Sequence, residues 1–296
     1  MQCTHREVVC ASNRKRSLAM INPADAIKTM KLYSDVERVD RELRARGKAP
    51  HAPLLPTDLA ALDQLHYGGT EAVDEAARTL AIDESTRVMD VGSGLGGPAR
   101  HLASTTGCRV TAVELQRELH TSASRLTLRC GLEHRVQHLH GDFLKTMLPV
   151  AGFDALVSWL TFLHIPDKKV LLERSRSVLK DTGRIYIEDF FQRAPLTAVE
   201  IESLEKDVYC SALPTAKKYR RCLENAGFRD VELLDMSADW TAFVTERQRR
   251  FAADRVRFVH LHGPATFCKL DAFYQTMQQL FEGGNLGGLR ITARAG

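Results

Sequence analysis

This sequence predicts an α/β fold built on a doubly wound, mostly parallel sheet of seven strands with helices on both faces. Three observations carry that prediction. The stretch Val88-Met89-Asp90-Val91-Gly92-Ser93-Gly94-Leu95-Gly96-Gly97-Pro98-Ala99 reads as a strand, a glycine turn and a helix start. From Arg87 onward, strand and helix patterns alternate, which implies parallel strands joined by right-handed crossovers. The chain has 296 residues, 44% of them hydrophobic, enough core for one large domain with additions or two small ones.

The elements follow in order. Residues 1–20 place Arg6, Arg14, Lys15 and Arg16 against Glu7 and lack the apolar run of a secretory signal. They predict a disordered basic tail, with an organellar transit peptide as the alternative. Residues 21–50 are charged and helical, with Tyr33, Val36 and Val39 on one side. Pro50, Pro53 and Pro56 mark an extended linker. A helical pattern from Asp58 to about His66 stops at Tyr67-Gly68-Gly69, so residues 21–69 form an N-terminal helical lid and residues 70–296 the main domain. Thr70 is placed to cap a helix running to Leu80, with Val73, Ala76, Ala77 and Leu80 as its core stripe. Strands are predicted at 87–91, 109–114, 136–139, 153–159, 184–189, 231–235 and 288–294. Helices fall at about 98–105, up to Cys130, at 169–179, and from the Thr215 cap to Gly227. Two further helical patterns, about 241–261 and 268–282, make an insertion (about 241–283) before the last strand.

Composition excludes several classes. A net charge of +4 gives no nucleic-acid footprint. Seven scattered cysteines, none in C-x-x-C, suggest neither a zinc site nor a disulfide framework, and no metal is expected. No apolar run approaches the ~18 residues of a membrane span. The expectation is a cytoplasmic protein, monomeric or homodimeric, that acts on a small molecule.

In doubly wound sheets, ligands sit at the carboxyl ends of the strands. Gly92, Ser93, Gly94 and Gly96 form the turn after the first strand, where the backbone can approach a ligand. Gly92, Gly94 and Gly97 also fit G-x-G-x-x-G, the fingerprint of dinucleotide binders. Asp90 shifts the balance: its carboxylate would repel a pyrophosphate and attract a ligand carrying a sulfonium and an ammonium. Glu114, with Leu115 beside it, ends the second strand, where an acid can accept hydrogen bonds from ribose hydroxyls; the plainer reading is a solvated loop carboxylate. Asp142 can accept from an adenine amino group while Phe143 covers the ring, or Asp142 is an ordinary turn residue. Ser158 and Trp159 end the fourth strand and His164 follows it.

The Asp-x-Gly-x-Gly-x-Gly form resembles motif I of the class I S-adenosylmethionine-dependent methyltransferases, which are Rossmann-like. The run from Gly68-Gly69-Thr70-Glu71-Ala72 through Glu114, Gly141-Asp142-Phe143 and His164 to Ala226-Gly227-Phe228 is similar to one branch of that class, the sarcosine/dimethylglycine and phosphoethanolamine N-methyltransferases. Tocopherol and sterol C-methyltransferases are close by. The resemblance implies S-adenosylmethionine as cofactor and S-adenosylhomocysteine as product. It places Asp90, Gly92, Ser93, Gly94, Gly96, Glu114, Leu115, Asp142, Phe143, Ser158, Trp159 and Tyr67 around the cofactor. It matches His164 to a catalytic histidine and makes Tyr33 the candidate for the tyrosine paired with it. Where that family carries an aspartate four residues before the histidine, this chain has Leu160, and Trp159 stands where a polar residue is common. The acceptor pocket is therefore expected to be more apolar or aromatic than in those relatives.

The reaction so implied is in-line methyl transfer to a small acceptor, foremost an amine nitrogen, with neutral His164 taking a proton. Transfer to oxygen or carbon of an apolar or aromatic molecule is the alternative. A nicotinamide-dependent reductase would share the glycine loop and Glu114. A macromolecular acceptor is disfavoured, because Ser158-Trp159-Leu160-Thr161 is not the Asn/Asp-Pro-Pro-Tyr/Phe loop of base-methylating enzymes.

Overall fold

Residues 35–296 are described here from a computed structural model. Tyr33 and the basic residues 1–20 lie outside the described residues. Chain order within these bounds is α1 (Glu37–Ala45), α2 (Pro56–Asp63), α3 (Gly69–Leu80), β1 (Arg87–Val91), α4 (Gly97–Thr106), β2 (Arg109–Glu114), α5 (Arg117–Arg129), β3 (Val136–His140) and β4 (Phe153–Trp159). A 3₁₀ turn (Phe162–His164) follows. Then come α6 (Lys168–Val178), β5 (Leu179–Gln192), α7 (Ala198–Lys206), α8 (Ala216–Asn225), β6 (Phe228–Asp235), α9 (Ser237–Ala253), α10 (Arg255–His262), α11 (Pro264–Glu282) and β7 (Leu286–Ala295).

The seven strands form one sheet in the order β3-β2-β1-β4-β5-β7-β6. Strands β1 to β5 pair in parallel, while β7 runs antiparallel to both β5 and β6. The winding reverses between β1 and β4, and a ligand crevice opens at such a point. Alternation along β1 splits the core. Met89 and Val91 face a layer with Leu171 and Leu172 of α6 and Tyr219 and Leu223 of α8. Val88 faces the other layer, with Val73 and Ala76 of α3 and Ala99 and Leu102 of α4. Strands buried on both faces explain the near-continuous apolar runs in the sequence.

Two additions flank the crevice. Val39 and Leu43 of α1 and Leu59 of α2 bury against Leu95 of the glycine loop and Leu119 and Leu126 of α5. On the other side, Trp240 and Val244 of α9 and Met277, Leu280 and Phe281 of α11 bury against Tyr67 and Phe190.

Several expectations change in detail. Thr70 makes no cap: α3 begins two residues earlier than that cap implies, at Gly69 behind Gly68 at φ +74°, because a left-handed turn lets the chain enter the helix directly. The insertion holds three helices instead of two, broken at Asp254 and at Gly263-Pro264. Helix α7 was not anticipated, although Thr197 and Glu200 form a reciprocal capping box that the T-x-x-E spacing announces. Strand β5 runs to Gln192 because β7 pairs with it along its whole second half.

Candidate active site

The glycine loop is tied to β2 by its own amides. The N–H groups of Gly92 and Ser93 both donate to the Val113 carbonyl, at 2.9 and 3.1 Å. Gly94 N–H donates to Glu114 Oε2 at 2.9 Å, and Gln116 N–H donates to Oε1 at 2.7 Å. Glu114 thus holds the loop in shape, and each of its oxygens keeps a second lone pair for a ligand. Gly92 tolerates no side chain: its φ is +75°, and a Cβ there would lie 2.1 Å from Thr161 Oγ1. A Cβ on Gly97 would meet the Asp63 carbonyl oxygen at 2.6 Å, so the end of α2 presses directly onto the start of α4.

These close approaches leave a cavity of about 250 Å³ at the carboxyl ends of β1, β2 and β4. Its chemistry is set by unsatisfied groups. Among the described residues, eight buried side-chain polar atoms lack a hydrogen-bond partner, and four belong to residues that line this cavity: Asp63 Oδ1, Asp90 Oδ2, Ser93 Oγ and Trp159 Nε1. Two accept and two donate. Unpaired buried polar groups are costly, so a cluster of them marks a ligand that completes the set. A ligand end with both an ammonium and a carboxylate does so.

Burial, followed by the negative charge of Glu114, pushes the Asp90 carboxyl up to about 8. Burial also raises Glu114, against the lowering pull of the Gln116, Gly94 and Leu115 amides. A cation beside Asp90 would remove the penalty of ionising it. At the far end, Asp142 Oδ1 accepts from Leu144 N–H at 3.0 Å, while Phe143 is buried with the Arg174 guanidinium 5.9 Å from its ring centre. Both line the cavity.

His164 closes the opposite side. Its 3₁₀ turn is pinned by Asp189, which accepts Leu163 N–H at 2.8 Å and the Tyr219 hydroxyl at 3.0 Å. Lys168 Nζ donates to the Phe162 and Ile165 carbonyls at 2.6 and 2.8 Å. Ile165 is extended (φ −110°, ψ 97°), as a residue before proline should be. Burial drives the His164 pKa down to about 4, against a raising contribution from the Tyr209 carbonyl. The ring is therefore neutral at pH 7. Its Nδ1 lies 3.2 Å from that carbonyl, which can only accept, so the hydrogen sits on Nδ1 and Nε2 keeps a free lone pair. His164 also lines a second, inner chamber of about 30 Å³ with Leu65, Leu160 and Phe190 among its walls.

The structure brings Asp90, Gly92, Ser93, Gly94, Glu114, Leu115, Asp142, Phe143, Trp159 and His164 around one cavity. Three of the expected residues stand elsewhere. Ser158 is fully buried and spends its hydroxyl on the Val91 carbonyl at 2.9 Å, locking β4 to β1. Gly96 forms the left-handed turn before α4, where a Cβ would strike His138. Tyr67 lines the inner chamber, not the main cavity.

Sequence reasoning missed Asp63, His66 and Arg247. Asp63 accepts from Arg100 Nη2 at 2.7 Å in a buried ion pair, and burial raises its pKa. His66 stacks on Trp159 with ring centres 5.4 Å apart, its pKa lowered by burial to about 4. The signal was weak but present: Asp63 and His66 close the helical pattern just before Tyr67-Gly68-Gly69. Arg247, on a helix of the insertion, lines the inner chamber and carried no sequence signal. Among the described residues, no group of three or more His, Cys, Asp or Glu is placed to hold a metal ion.

Comparisons with known proteins bear on the family and the fold. The model of a family described as a methyltransferase domain matches residues 64–233. The glycine/sarcosine/dimethylglycine N-methyltransferase of Actinopolyspora halophila is 30% identical over 165 residues, 56% of this chain but 29% of that protein's length. The sarcosine/dimethylglycine N-methyltransferase of Halorhodospira halochloris is 26% identical over 212 residues, 71% of this chain and 75% of that protein. Among solved structures, phosphoethanolamine N-methyltransferase 2 of Haemonchus contortus, in complex with S-adenosyl-L-methionine, superimposes with a TM-score of 0.78 at 18% identity. It covers 94% of this chain and 60% of that one, a likeness of fold.

Proposed function

The chain belongs to the methyltransferase domain family, an S-adenosylmethionine-dependent enzyme class, and from that premise we propose that it methylates the nitrogen of a small amine. The observation that carries the donor site is the set of four unpartnered polar atoms, two acceptors and two donors, on residues that line one cavity. Asp90 and Asp63 would hold the ammonium of the methionine end, Ser93 and Trp159 its carboxylate. Glu114 would take the ribose hydroxyls and Asp142 with Phe143 the adenine. When bound, S-adenosylmethionine supplies a methyl group on a positively charged sulfur, a good leaving group, so the protein's work is alignment and exclusion of water.

His164 carries the acceptor reading. A buried imidazole whose pKa is lowered to about 4 is a weak base. It cannot readily strip a phenol or a quinol carbon before attack, whereas a neutral amine brings its own lone pair. Free Nε2 can accept a hydrogen bond from the amine N–H and turn that lone pair toward the donor methyl, while the proton of the new ammonium passes to water. The names of the relatives, N-methyltransferases of glycine, sarcosine, dimethylglycine and phosphoethanolamine, support the same choice. One observation favours a second reading: the side chains packed beside His164, among them Leu160, Leu163, Phe190, Phe273 and Met277, are apolar, surroundings that favour an apolar acceptor methylated on oxygen or carbon.

We read the described part of the expected lid, residues 35–69, as a lid, because Asp63 and His66 line the cavity from α2 and the segment after it; residues 21–34 lie outside the described residues. No described helix is long and apolar enough to cross a membrane. We take the protein to act as a monomer or homodimer on free small molecules without nucleic acid, in the cytoplasm or, through residues 1–20, in an organelle. The test is a mass-spectrometric screen of amines, phenols and prenyl-quinols with isotopically labelled methyl donor. Label on amine nitrogen is expected; label confined to phenols or quinols would overturn the amine reading.

A further inference from the structure

Arg100 stands on α4, one turn behind Gly97, and is 1% exposed. It does not line the donor cavity. Its guanidinium ties three pieces of the chain together. Nη2 donates to the Leu95 carbonyl of the glycine loop and to Asp63 Oδ2, each at 2.7 Å. Nη1 donates to the Ala123 carbonyl and the Thr127 hydroxyl of α5, at 3.2 and 3.1 Å. A planar guanidinium held from several sides gives the carboxylate it meets a fixed address.

Asp63 is the last residue of α2, in the lid segment, and its two oxygens do different things. Oδ2 is spent on Arg100. Oδ1 is buried without a partner, on a residue that lines the donor cavity. A Cβ on Gly97 would fall 2.8 Å from Oδ1, so the missing side chain lets this carboxylate lie over the start of α4. Burial raises the Asp63 carboxyl, and the Arg100 charge opposes that rise. Asp90, in the same cavity, has only the repulsion of Glu114 added to its burial. A buried ion pair is seldom worth more to stability than an apolar pair of the same volume. The use of this pair is to be sought at the free oxygen.

From this arrangement we infer that Arg100 is a positioning residue for donor binding: it holds the lid's Asp63 with Oδ1 turned to the ammonium of the donor's amino-acid end, so that recognition of that end requires the lid in place. The inference deepens the donor-site reading and rests on its assignment of Asp63 to the ammonium. It gives the lid a second task. Besides covering the cavity, the lid brings a ligand group to it from outside the sheet domain, and a nucleoside without the ammonium cannot engage that group.

The test compares S-adenosylhomocysteine with 5′-methylthioadenosine, which lacks the amino-acid end, by calorimetry on the full chain. Arg100→Met keeps an apolar stem and removes the charge. It should weaken S-adenosylhomocysteine about tenfold or more and leave 5′-methylthioadenosine within about threefold, so that the preference for the former falls. An arginine that only braced the glycine loop would weaken both ligands together, because the ribose rests on that loop's partner Glu114. Asp63→Asn should lower the preference by a similar factor, and adding Arg100→Met to it should lower it no further, since the two act as one unit. If Arg100→Met does not fold, Arg100→Lys decides: it keeps the charge and loses the fork, and its preference should fall about threefold or more. An unchanged preference in the deciding variant, a parallel loss of both ligands, or a further fall in the double variant would overturn the inference while leaving the donor-site reading intact. Equal affinities in wild type would overturn the donor-site reading itself, and this inference with it.

Discussion

In the ligand-free protein the donor cavity should hold a proton that the cofactor expels. Asp90 is buried next to Glu114 and its pKa stands at about 8. At pH 7, one unit below, about 0.9 of the Asp90 carboxyls are protonated. The ammonium of S-adenosylhomocysteine placed against Asp90 Oδ2 stabilises the ionised form and draws the pKa back toward the ordinary carboxylate range. Binding should then release about 0.9 proton at pH 7 from this residue. By the same linkage, affinity should improve about tenfold per pH unit as pH rises toward 8, then level off. Isothermal titration calorimetry of S-adenosylhomocysteine in buffers of different ionisation enthalpy measures the release directly. Asp90→Asn keeps the shape but cannot ionise. It should bind more weakly, with Asp90's share of the released proton and its pH slope gone. Wild type that releases no proton at pH 7, or Asp90→Asn that releases as much as wild type, would refute the reasoning.

Other predictions concern neighbouring residues. His164→Asn should keep S-adenosylhomocysteine affinity and lower kcat about tenfold or more, and wild-type kcat/KM should show no inflection near 6.5, because the buried ring is already neutral there; a wild-type inflection at 6.5 or an unchanged kcat would make the residue structural. Glu114→Ala should weaken S-adenosylhomocysteine by about 1.5–3 kcal/mol by calorimetry, the range for a hydrogen bond to a charged group, and unchanged affinity in the folded variant would remove Glu114 from the site. Burial lowers His138 to about 3. Its folded pKa lies below the unfolded 6.5, so its share of stability is present above pH 6.5 and is lost as pH falls toward 3. His138→Leu should therefore flatten the acid limb of urea-denaturation midpoints between pH 6.5 and 4; an identical limb in the variant counts against it. Limited proteolysis should cut more slowly N-terminal to Gly68 when S-adenosylhomocysteine is bound, and equal rates would speak against a ligand-ordered lid.

Much of this was legible because the sheet and the glycine turn leave local marks. Apolar runs of five to seven residues between helical patterns located β1, β2 and β4 to the residue, since a strand buried on both faces has no other composition open to it. Asp90 and Glu114 could be placed because each sits at a strand end whose position the pattern fixes. Ser158 has the same address yet turns its hydroxyl into the sheet, and period-two alternation alone does not say which face of β4 looks at the ligand. Arg247 was invisible for a different reason. It reaches the chamber through the packing of α9 against Tyr67, a contact 180 positions away in the sequence, and an arginine on a charged helix carries no mark of that. The break of the insertion at Gly263-Pro264 was legible, and the two expected helices divide there; the break at Asp254 has no glycine or proline to mark it.

The claim on which the rest depends is that Asp63, Asp90, Ser93 and Trp159 read the amino-acid end of the donor. The most direct measurement compares S-adenosylhomocysteine with 5′-methylthioadenosine, which keeps the adenine, ribose and thioether but has neither ammonium nor carboxylate. Two or more charge-assisted hydrogen bonds at about 1.5–3 kcal/mol each imply that S-adenosylhomocysteine binds at least about a hundredfold more tightly at pH 8. Equal affinities for the two ligands would contradict it.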